Sequence, residues 1–189
     1  MNNAVKEDLY RYEGARTNAL TLVRYVLFTP GFRYVFFWRH ASMAKNIVSK
    51  IFYNVMLRIC METSGIQIPP STRIGRGFRI VHFGNIVINP EAVIGHNFNI
   101  SQGALIGNAQ GKRGGVPVIG NNVCVNANAT IVGGCKIGDN VLIAPGAFVN
   151  FDVPSDSIVI GNPGKIIPSN RPTGKYIVYP LTVETISKS

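Results

Sequence analysis

Aliphatic residues recur at every sixth position through the middle of the chain. The series keeps its register across two interruptions: Ile68, Ile74, Ile80, Ile88, Ile94, Ile100, Ile106, Ile119, Val125, Ile131, Ile137, Ile143 and Val149. Neither an α-helix nor an ordinary strand maintains such a spacing. The pattern predicts a triangular coil: each six-residue unit is a short strand and a turn, and each aliphatic side chain packs inward on the one a coil earlier. An ordinary sandwich of short strands is the alternative, but it gives no reason for constant spacing.

Turn-forming residues follow the aliphatic positions. The next residue is often glycine, at Gly75, Gly95, Gly107, Gly120 and Gly138. Asparagine or aspartate comes after the glycine in 121–122 and 139–140. We expect these residues at the corners of the coil, because glycine adopts positive φ without strain and Asn or Asp does so with little.

The two interruptions of the series are candidate binding segments. Two extra residues fall within 81–84, and a loop rich in Gly, Lys and Arg spans 108–117. Solenoids place such insertions where ligands bind. His82 is the one histidine in an insertion, which makes it the leading functional candidate; the alternative is a solvated loop histidine.

Residues 1–65 form a predicted α-helical N-terminal region ahead of the coil. Within it, apolar residues three and four apart predict an amphipathic helix: Ile47, Val48, Ile51, Phe52, Val55 and Ile59. We expect these helices to cap the open end of the coil or to pad a subunit interface. The alternative is a peripheral membrane contact through an aromatic run beside Arg33 and Arg39. Its members are Phe32, Phe36, Phe37 and Trp38.

The remaining boundaries place the coil at 66–167 and a C-terminal tail at 168–189. We expect the tail to be partly disordered or to lie along a neighbouring subunit. No apolar stretch of the chain has the length of about 20 residues that spans a bilayer.

Composition narrows the function. The 189 residues are 46% hydrophobic and carry a net charge of +10. The cations are spread along the chain, which argues against a nucleic-acid partner and suits a polyanionic cofactor, an anionic sugar or an anionic membrane leaflet. The three cysteines, Cys60, Cys124 and Cys135, lack metal-binding spacing. We therefore expect reduced packing cysteines in a cytoplasmic protein without a metal.

The sequence resembles a known family. The hexapeptide series, the His82 insertion, the Gly-Lys-Arg-Gly-Gly segment at 111–115 and the Gly-Asn-Pro-Gly-Lys segment at 161–165 occur in that order. In these features the chain is similar to the left-handed β-helix acyltransferases, and most similar to their serine acetyltransferase branch. The resemblance covers nearly the whole chain. It implies a mainly β fold, a left-handed parallel β-helix of hexapeptide repeats with a short α-helical N-terminal region. It also implies an acetyl-CoA-dependent O-acetyltransferase that works as a homotrimer with active sites between subunits.

His82 falls on the catalytic histidine of that family. A hydroxyl is a poor nucleophile until its proton is removed, and a neutral imidazole, with an ordinary pKa of about 6.5, accepts a proton at cytosolic pH. The resemblance implies direct attack of the acceptor oxygen on the thioester. The group that orients His82 stays open between a backbone carbonyl, Asn85, Glu91 and a side chain across the trimer interface.

The resemblance also places CoA in a groove between adjacent coils. The residues that match this groove by position are small or cationic: Gly111, Lys112, Arg113, Ala127, Thr130, Ala144 and Lys165.

Departures from the family pattern bear on the acceptor. Serine acetyltransferases carry an Asp directly before the catalytic histidine, where this chain has Val81, and a second Asp where Gln67 stands. Their Arg-His pair after the glycine-rich loop is missing, because Gly115 runs straight into Val116. Those groups hold the ammonium and carboxylate of serine, and Asp8 is the one partner that remains.

Charged ends taken out of water need compensating charges. The departures therefore favour a sugar hydroxyl as the acceptor, in capsular or exopolysaccharide synthesis. The sugar is either a small molecule or lipid-linked. A lipid-linked acceptor would place the protein at the inner face of the cytoplasmic membrane. The alternative is serine O-acetyltransferase of cysteine biosynthesis. The predicted acceptor-binding residues are Asp8, Asn85 and Glu91. A non-catalytic scaffold or a zinc-dependent carbonic-anhydrase-like protein on the same coil is a further alternative.

Overall fold

A computed structural model of the protein describes residues 2–14 and 17–182. Residue 1, residues 15–16 and residues 183–189, which belong to the predicted helical region and tail, lie outside the described part. The helices are α1 (Asn3–Glu13), α2 (Ala19–Phe28), α3 (Pro30–Met43) and α4 (Ile47–Ser64). The strands are β1 (Arg73–Ile74), β2 (Arg79–Ile80), β3 (Val87–Ile88), β4 (Val93–Ile94), β5 (Asn99–Ile100), β6 (Leu105–Gly107), β7 (Val118–Ile119), β8 (Cys124–Val125), β9 (Thr130–Val132), β10 (Lys136–Ile137), β11 (Val141–Ile143), β12 (Phe148–Val149), β13 (Ser157–Ile160) and β14 (Lys165–Pro168).

The strands form the three faces of a prism. Sheet 1 contains β1, β4, β7 and β10, sheet 2 contains β2, β5, β8, β11, β13 and β14, and sheet 3 contains β3, β6, β9 and β12. Ile119 pairs in parallel with Ile137, and Ile94 pairs with Ile119 across the longer insertion. Every residue of the hexapeptide series is buried. The predicted left-handed β-helix and its inward aliphatic columns are confirmed.

The glycine that follows the aliphatic residue is required because the coils stack closely at that position, and it does not adopt positive φ. A Cβ on Gly75 would lie 2.6 Å from the carbonyl oxygen of Gly95, and a Cβ on Gly95 would lie 2.7 Å from that of Gly120. Positive φ falls two residues later in the turn, at Asn97 (56°) and Asn122 (54°). The sequence reasoning was therefore right about the asparagines and wrong about these glycines.

Helix α3 closes the base of the prism. The Tyr34 hydroxyl donates to the Ile68 carbonyl at 3.1 Å, and Trp38 Nε1 donates to the Pro69 carbonyl at 3.0 Å. Phe32, Phe37 and Trp38 are buried. The aromatic run therefore packs in the interior, and the predicted membrane contact through it is wrong.

Helices α2 and α4 flank α3 and leave apolar faces uncovered. Helix α2 has no buried residue, and Leu20 and Phe28 are 79% and 78% exposed. The predicted amphipathic helix is present as α4, but its apolar stripe does not face α3. It packs on α3 through the opposite side, where Leu57 and Cys60 are buried. The stripe itself points away from the coil. No helix in the described ranges is long and apolar enough to cross a membrane.

The described part of the tail lies along its own coil. Asn99 Nδ2 donates to the Tyr176 carbonyl at 2.9 Å, and Leu181 N donates to Asn97 Oδ1 at 2.8 Å. The Thr173 hydroxyl donates to Asn140 Oδ1 at 2.6 Å. These contacts hold residues 173–181 against sheet 2 of the same protomer.

Candidate active site

His82 lies on the turn that joins sheet 2 to sheet 3, between β2 and β3. The two inserted residues make this turn bulge, with φ of 121° at Gly84 and 50° at Asn85. His82 is exposed. It lines a shallow cleft of about 260 Å³ together with the junction of α2 and α3: Phe28, Thr29, Pro30, Gly31, Ile80, Val81, His82 and Phe83. His82 is the one titratable side chain among these lining residues.

The turns that stack above His82 form one continuous edge of the prism, here called the His82 edge (81–86, 101–104, 126–129, 144–147 and 161–164). Backbone hydrogen bonds connect its steps: Gly103 N donates to Gly84 O at 2.8 Å, Asn128 N to Gln102 O at 3.0 Å and Gly146 N to Ala127 O at 2.9 Å. The edge has a wall of small residues because the coils stack closely along it.

Three of the predicted CoA-binding residues lie on or directly after this edge. Ala127 and Ala144 are partly buried in its turns, and Lys165 is exposed just beyond its last turn. A fourth, Thr130, begins β9 next to the edge, and its side chain is partly buried on the outer side of sheet 3.

The glycine-rich loop lies on a different edge. The turns between sheet 3 and sheet 1 form the loop edge (89–92, 107–117 and 133–135), which carries Gly111, Lys112 and Arg113, all exposed. The loop is tied to its own edge, since Gly134 N donates to the Arg113 carbonyl at 3.0 Å. The full width of sheet 3 therefore separates this loop from His82 within one protomer.

Glu91 belongs to the loop edge as well. It lies beyond the opposite end of β3 from His82 and is exposed. It does not line the His82 cleft of its own protomer. Its predicted contact with His82 or the acceptor therefore requires a second subunit.

Asp8 is part of a buried ion pair. Its Oδ2 accepts from Arg39 Nε at 2.7 Å, and its Oδ1 accepts from Arg39 Nη2 at 3.2 Å and from Phe78 N at 2.8 Å. Asp8 is 0% exposed. Both carboxylate oxygens are engaged, so Asp8 stabilises the cap of the coil and is not an acceptor-binding residue. The prediction that it binds the acceptor is wrong.

Asn85 holds the shape of the His82 turn. It adopts the left-handed conformation, and its Oδ1 lies so close to Gly65 that a Cβ there would be 2.7 Å away. Its role as an acceptor contact stays a prediction. Within the described residues of one protomer, neither ring nitrogen of His82 makes a hydrogen bond, which leaves the orienting group to a second subunit or to substrate.

The other reactive side chains are structural. His96 Nδ1 accepts from Arg76 N at 3.1 Å, and burial, followed by the nearby Arg76 guanidinium, lowers the pKa of His96. Burial raises the pKa of Cys124 to about 12, so its thiol stays protonated. The described residues contain no cluster of His, Cys, Asp or Glu that could hold a metal ion.

Sequence reasoning missed the aromatic lining of the cleft. Phe28 and Phe83 are 78% and 49% exposed beside His82. Phe83 is adjacent to His82 in sequence and could have been inferred, whereas Phe28 belongs to a helix whose placement no local pattern reveals.

Comparisons with known proteins agree with this architecture. The sequence model of the family described as bacterial transferase hexapeptide (six repeats) matches residues 117–150. A serine acetyltransferase of Neisseria gonorrhoeae, solved in complex with serine, is 30% identical, with a TM-score of 0.71, over 86% of this chain and 67% of that chain. The chain belongs to the left-handed β-helix acyltransferases. The predicted family is confirmed.

Several curated relatives of the chain are serine acetyltransferases. The enzyme of Synechococcus elongatus is 33% identical over 161 residues, which make up 84% of this chain and 64% of that protein. The enzyme of Staphylococcus aureus is 40% identical over 133 residues, 69% of this chain and 62% of that protein. The chain thus spans less than two thirds of the length of these relatives.

These relatives overturn the predicted sugar acceptor and its place in polysaccharide synthesis. They act, by name, on serine, which was the alternative. The error was to treat the loss of charged partners as evidence for a sugar. A sugar site needs hydrogen-bonding groups of its own, and the lining of the His82 cleft is mostly apolar.

Proposed function

We propose that the protein is a serine O-acetyltransferase that uses acetyl-CoA, with His82 as the general base. The proposal rests on the position of His82, which is exposed on the bulged turn of the His82 edge, where small residues form the wall. The similarity to a serine acetyltransferase that was solved with serine supports the choice of acceptor.

The chemistry requires one proton relay. His82 removes the proton of the serine hydroxyl as its oxygen attacks the thioester carbonyl of acetyl-CoA. The tetrahedral intermediate then collapses, the carbon–sulfur bond breaks, and the imidazolium returns the proton to the departing CoA thiolate. The products are O-acetylserine and CoA. No acyl-enzyme is involved, in keeping with a protonated, buried Cys124.

The acetyl-CoA site combines residues of both edges in this proposal. Ala127 and Ala144 provide the small wall along which a pantetheine arm packs, with Lys165 near the end of the edge. Thr130 lies beside this wall. Lys112 and Arg113, with Gly111, provide cations for the phosphates from the loop edge.

A homotrimer would bring the two edges together. The outer side of sheet 3, which lies between them, carries partly buried apolar residues: Val87, Leu105, Val132 and Phe148. If three copies pack this side around a threefold axis, the His82 edge of one protomer meets the loop edge of the next. Three equivalent sites would form between subunits.

The direct test of the activity is CoA release and O-acetylserine formation from acetyl-CoA and L-serine. We expect turnover that depends on both substrates. A protein that hydrolyses or transfers acetyl no faster with L-serine than without it would contradict the proposal, whatever its oligomeric state.

The missing Asp before His82 should weaken serine binding. We expect Val81→Asp to raise kcat/KM for L-serine about tenfold, because a carboxylate beside His82 pairs with the ammonium of serine and stabilises the imidazolium. Val81→Asn is the matched control, since it has nearly the same shape without the charge. An equal gain from both substitutions, or no gain from Val81→Asp, would contradict this reading of the cleft.

Mixing two defective variants tests whether sites form between subunits. His82→Ala lacks the base, and Lys112→Ala with Arg113→Ala lacks the loop cations. Trimers assembled from equal amounts of the two variants should regain about a quarter of the wild-type sites. Half of the His82 edges and half of the loop edges are intact in such a mixture, and a working site needs one intact edge of each kind. The measurement is activity at low acetyl-CoA after co-refolding. Activity no greater than the mean of the two parents would place each site within one protomer.

A further inference from the structure

A second cavity adjoins the His82 cleft. It has a volume of about 230 Å³ and is here called the Arg33 cavity, after the one charged side chain among its described lining residues: Pro30, Arg33, Cys60, Thr63, Ser64 and Phe83. Pro30 and Phe83 also line the His82 cleft, so the two cavities meet at these residues. The volume lies below the roughly 300–1,000 Å³ of pockets for drug-sized ligands, which suits a ligand as small as an amino acid.

Arg33 is held in place and still has donors to spare. Its Nε donates to the Val26 carbonyl at 2.8 Å and its Nη2 donates to the Leu27 carbonyl, which fixes the guanidinium at the C-terminal end of α2. Within the described residues, Nη1 makes no hydrogen bond, and Nη2 carries a second N–H. The Nη1–Nη2 end of the guanidinium can therefore bind a carboxylate at two points.

No carboxylate in the described part of the chain pairs with Arg33. Glu62 is the one acidic residue between positions 14 and 90, the stretch that supplies the lining of both cavities. Its carboxylate pairs with Arg58 at 2.7 Å. Burial raises the pKa of the neighbouring Cys60 thiol, and Arg33 offsets only part of this rise, so the thiol is neutral. A partly buried cation without a counter-charge favours an anionic ligand.

The His82 cleft cannot supply that counter-charge for an acceptor carboxylate. His82 is its one titratable side chain among the described lining residues. A general base has to be neutral to accept a proton, so His82 cannot also serve as a cation. A carboxylate that enters the site needs a positive partner, and Arg33 lines the adjoining cavity.

We propose that Arg33 binds the carboxylate of the acceptor, which lies in the Arg33 cavity with its hydroxyl directed past Phe83 to His82. The inference rests on the proposed function and deepens it. It makes a free carboxylate, in addition to a hydroxyl, a requirement for the acceptor, and it makes Arg33 the residue that selects for it.

The test compares L-serine with L-serinamide, which replaces the carboxylate by an uncharged amide. We expect the wild type to prefer L-serine. Arg33→Gln should lower kcat/KM for L-serine about 10- to 100-fold through a higher KM, the usual range for hydrogen bonds to a charged group. The value for L-serinamide should stay within about threefold, because this acceptor has no charge to lose a partner. Arg33→Lys should lie between the two, since it keeps the charge without the two-point geometry.

Arg24→Gln is the matched control. Arg24 is exposed on α2 and is not among the described lining residues of either cavity. The substitution removes the same charge from the same region and should leave both acceptors unaffected. Thermal unfolding checks that each variant is folded. An equal loss for both acceptors in Arg33→Gln would overturn the proposal, because Arg33 would then only hold the end of α2. A wild type without preference for L-serine would overturn it as well.

Titration calorimetry with L-serine, in the absence of acetyl-CoA, separates this inference from the proposed function. Serine binding that Arg33→Gln weakens, in a wild type that transfers no acetyl group to serine, would refute the proposed function and support the Arg33 site. Wild-type turnover of L-serine that Arg33→Gln leaves unchanged would refute the Arg33 site alone. A wild type that neither binds nor acetylates L-serine would refute both.

Discussion

His82→Ala is expected to lower kcat for acetyl transfer to L-serine by about 10²–10⁴-fold, the usual contribution of a positioned general base. Without an imidazole at the His82 turn, the serine hydroxyl keeps its proton as it approaches the thioester. The fold should survive, because His82 is exposed and makes no hydrogen bond within the described residues of its protomer. The measurement is steady-state CoA release, with the unfolding temperature recorded alongside.

His96→Asn is the matched control for His82→Ala. His96 accepts a hydrogen bond from Arg76 N, and one coil later Asn121 Oδ1 accepts the equivalent bond from His96 N at 2.8 Å. Asparagine therefore suits this position, and kcat should stay within about twofold of wild type, as expected for a residue outside the proton relay. Full activity of His82→Ala would refute the proposed base. A large loss of activity in His96→Asn would also contradict it, because His96 lies on the edge between sheets 1 and 2, away from the His82 edge.

Asp8→Ala is expected to destabilise the protein by about 3–5 kcal/mol, because it leaves the Arg39 guanidinium buried without its counter-charge. The two side chains are 1% and 8% exposed. Arg39 also donates to the Ile74 and Gly75 carbonyls at 2.8 and 2.6 Å, so it cannot move to solvent without releasing the first coil. Denaturant unfolding measures the change in the free energy of unfolding.

Arg58→Ala is the control for the buried pair. Arg58 and Glu62 form an exposed pair with side chains that are 70% and 64% exposed, and such pairs contribute about 0.5 kcal/mol or less. The two variants also separate the structural role of Asp8 from the acceptor-binding role first predicted for it. If Asp8 contacted the acceptor, Asp8→Ala would raise KM for serine at unchanged stability, and that result would contradict the structural assignment.

The catalytic candidate was accessible from sequence because it depends on a local pattern. Two extra residues in a strict six-residue series have to leave the wall of the coil, and His82 is one of the residues in that bulge. The stacking of Ala127 and Ala144 above it follows from the same period. Their roles toward acetyl-CoA remain proposals.

Long-range partners were not accessible in this way. Nothing near Asp8 in sequence indicates that Arg39 holds it, so its charge was read as available to a ligand. The apolar period of α4 was recognised, but a helical period shows that a face exists and not what that face meets. Helix α3 packs against the coil, and the apolar face of α4 is therefore left exposed.

The hexapeptide period was sufficient to establish the coil, its buried columns and the bulge at His82, since each depends on residues a few positions apart. Closure of the coil decided which turns share an edge, so that Lys165 stands above His82 whereas Lys112 and Glu91 lie across a sheet from it. It also decided which charges are buried and which glycines are crowded. Those features depend on contacts between residues far apart in sequence, and such distances exist only once the chain has wound round and the helices have packed on its end.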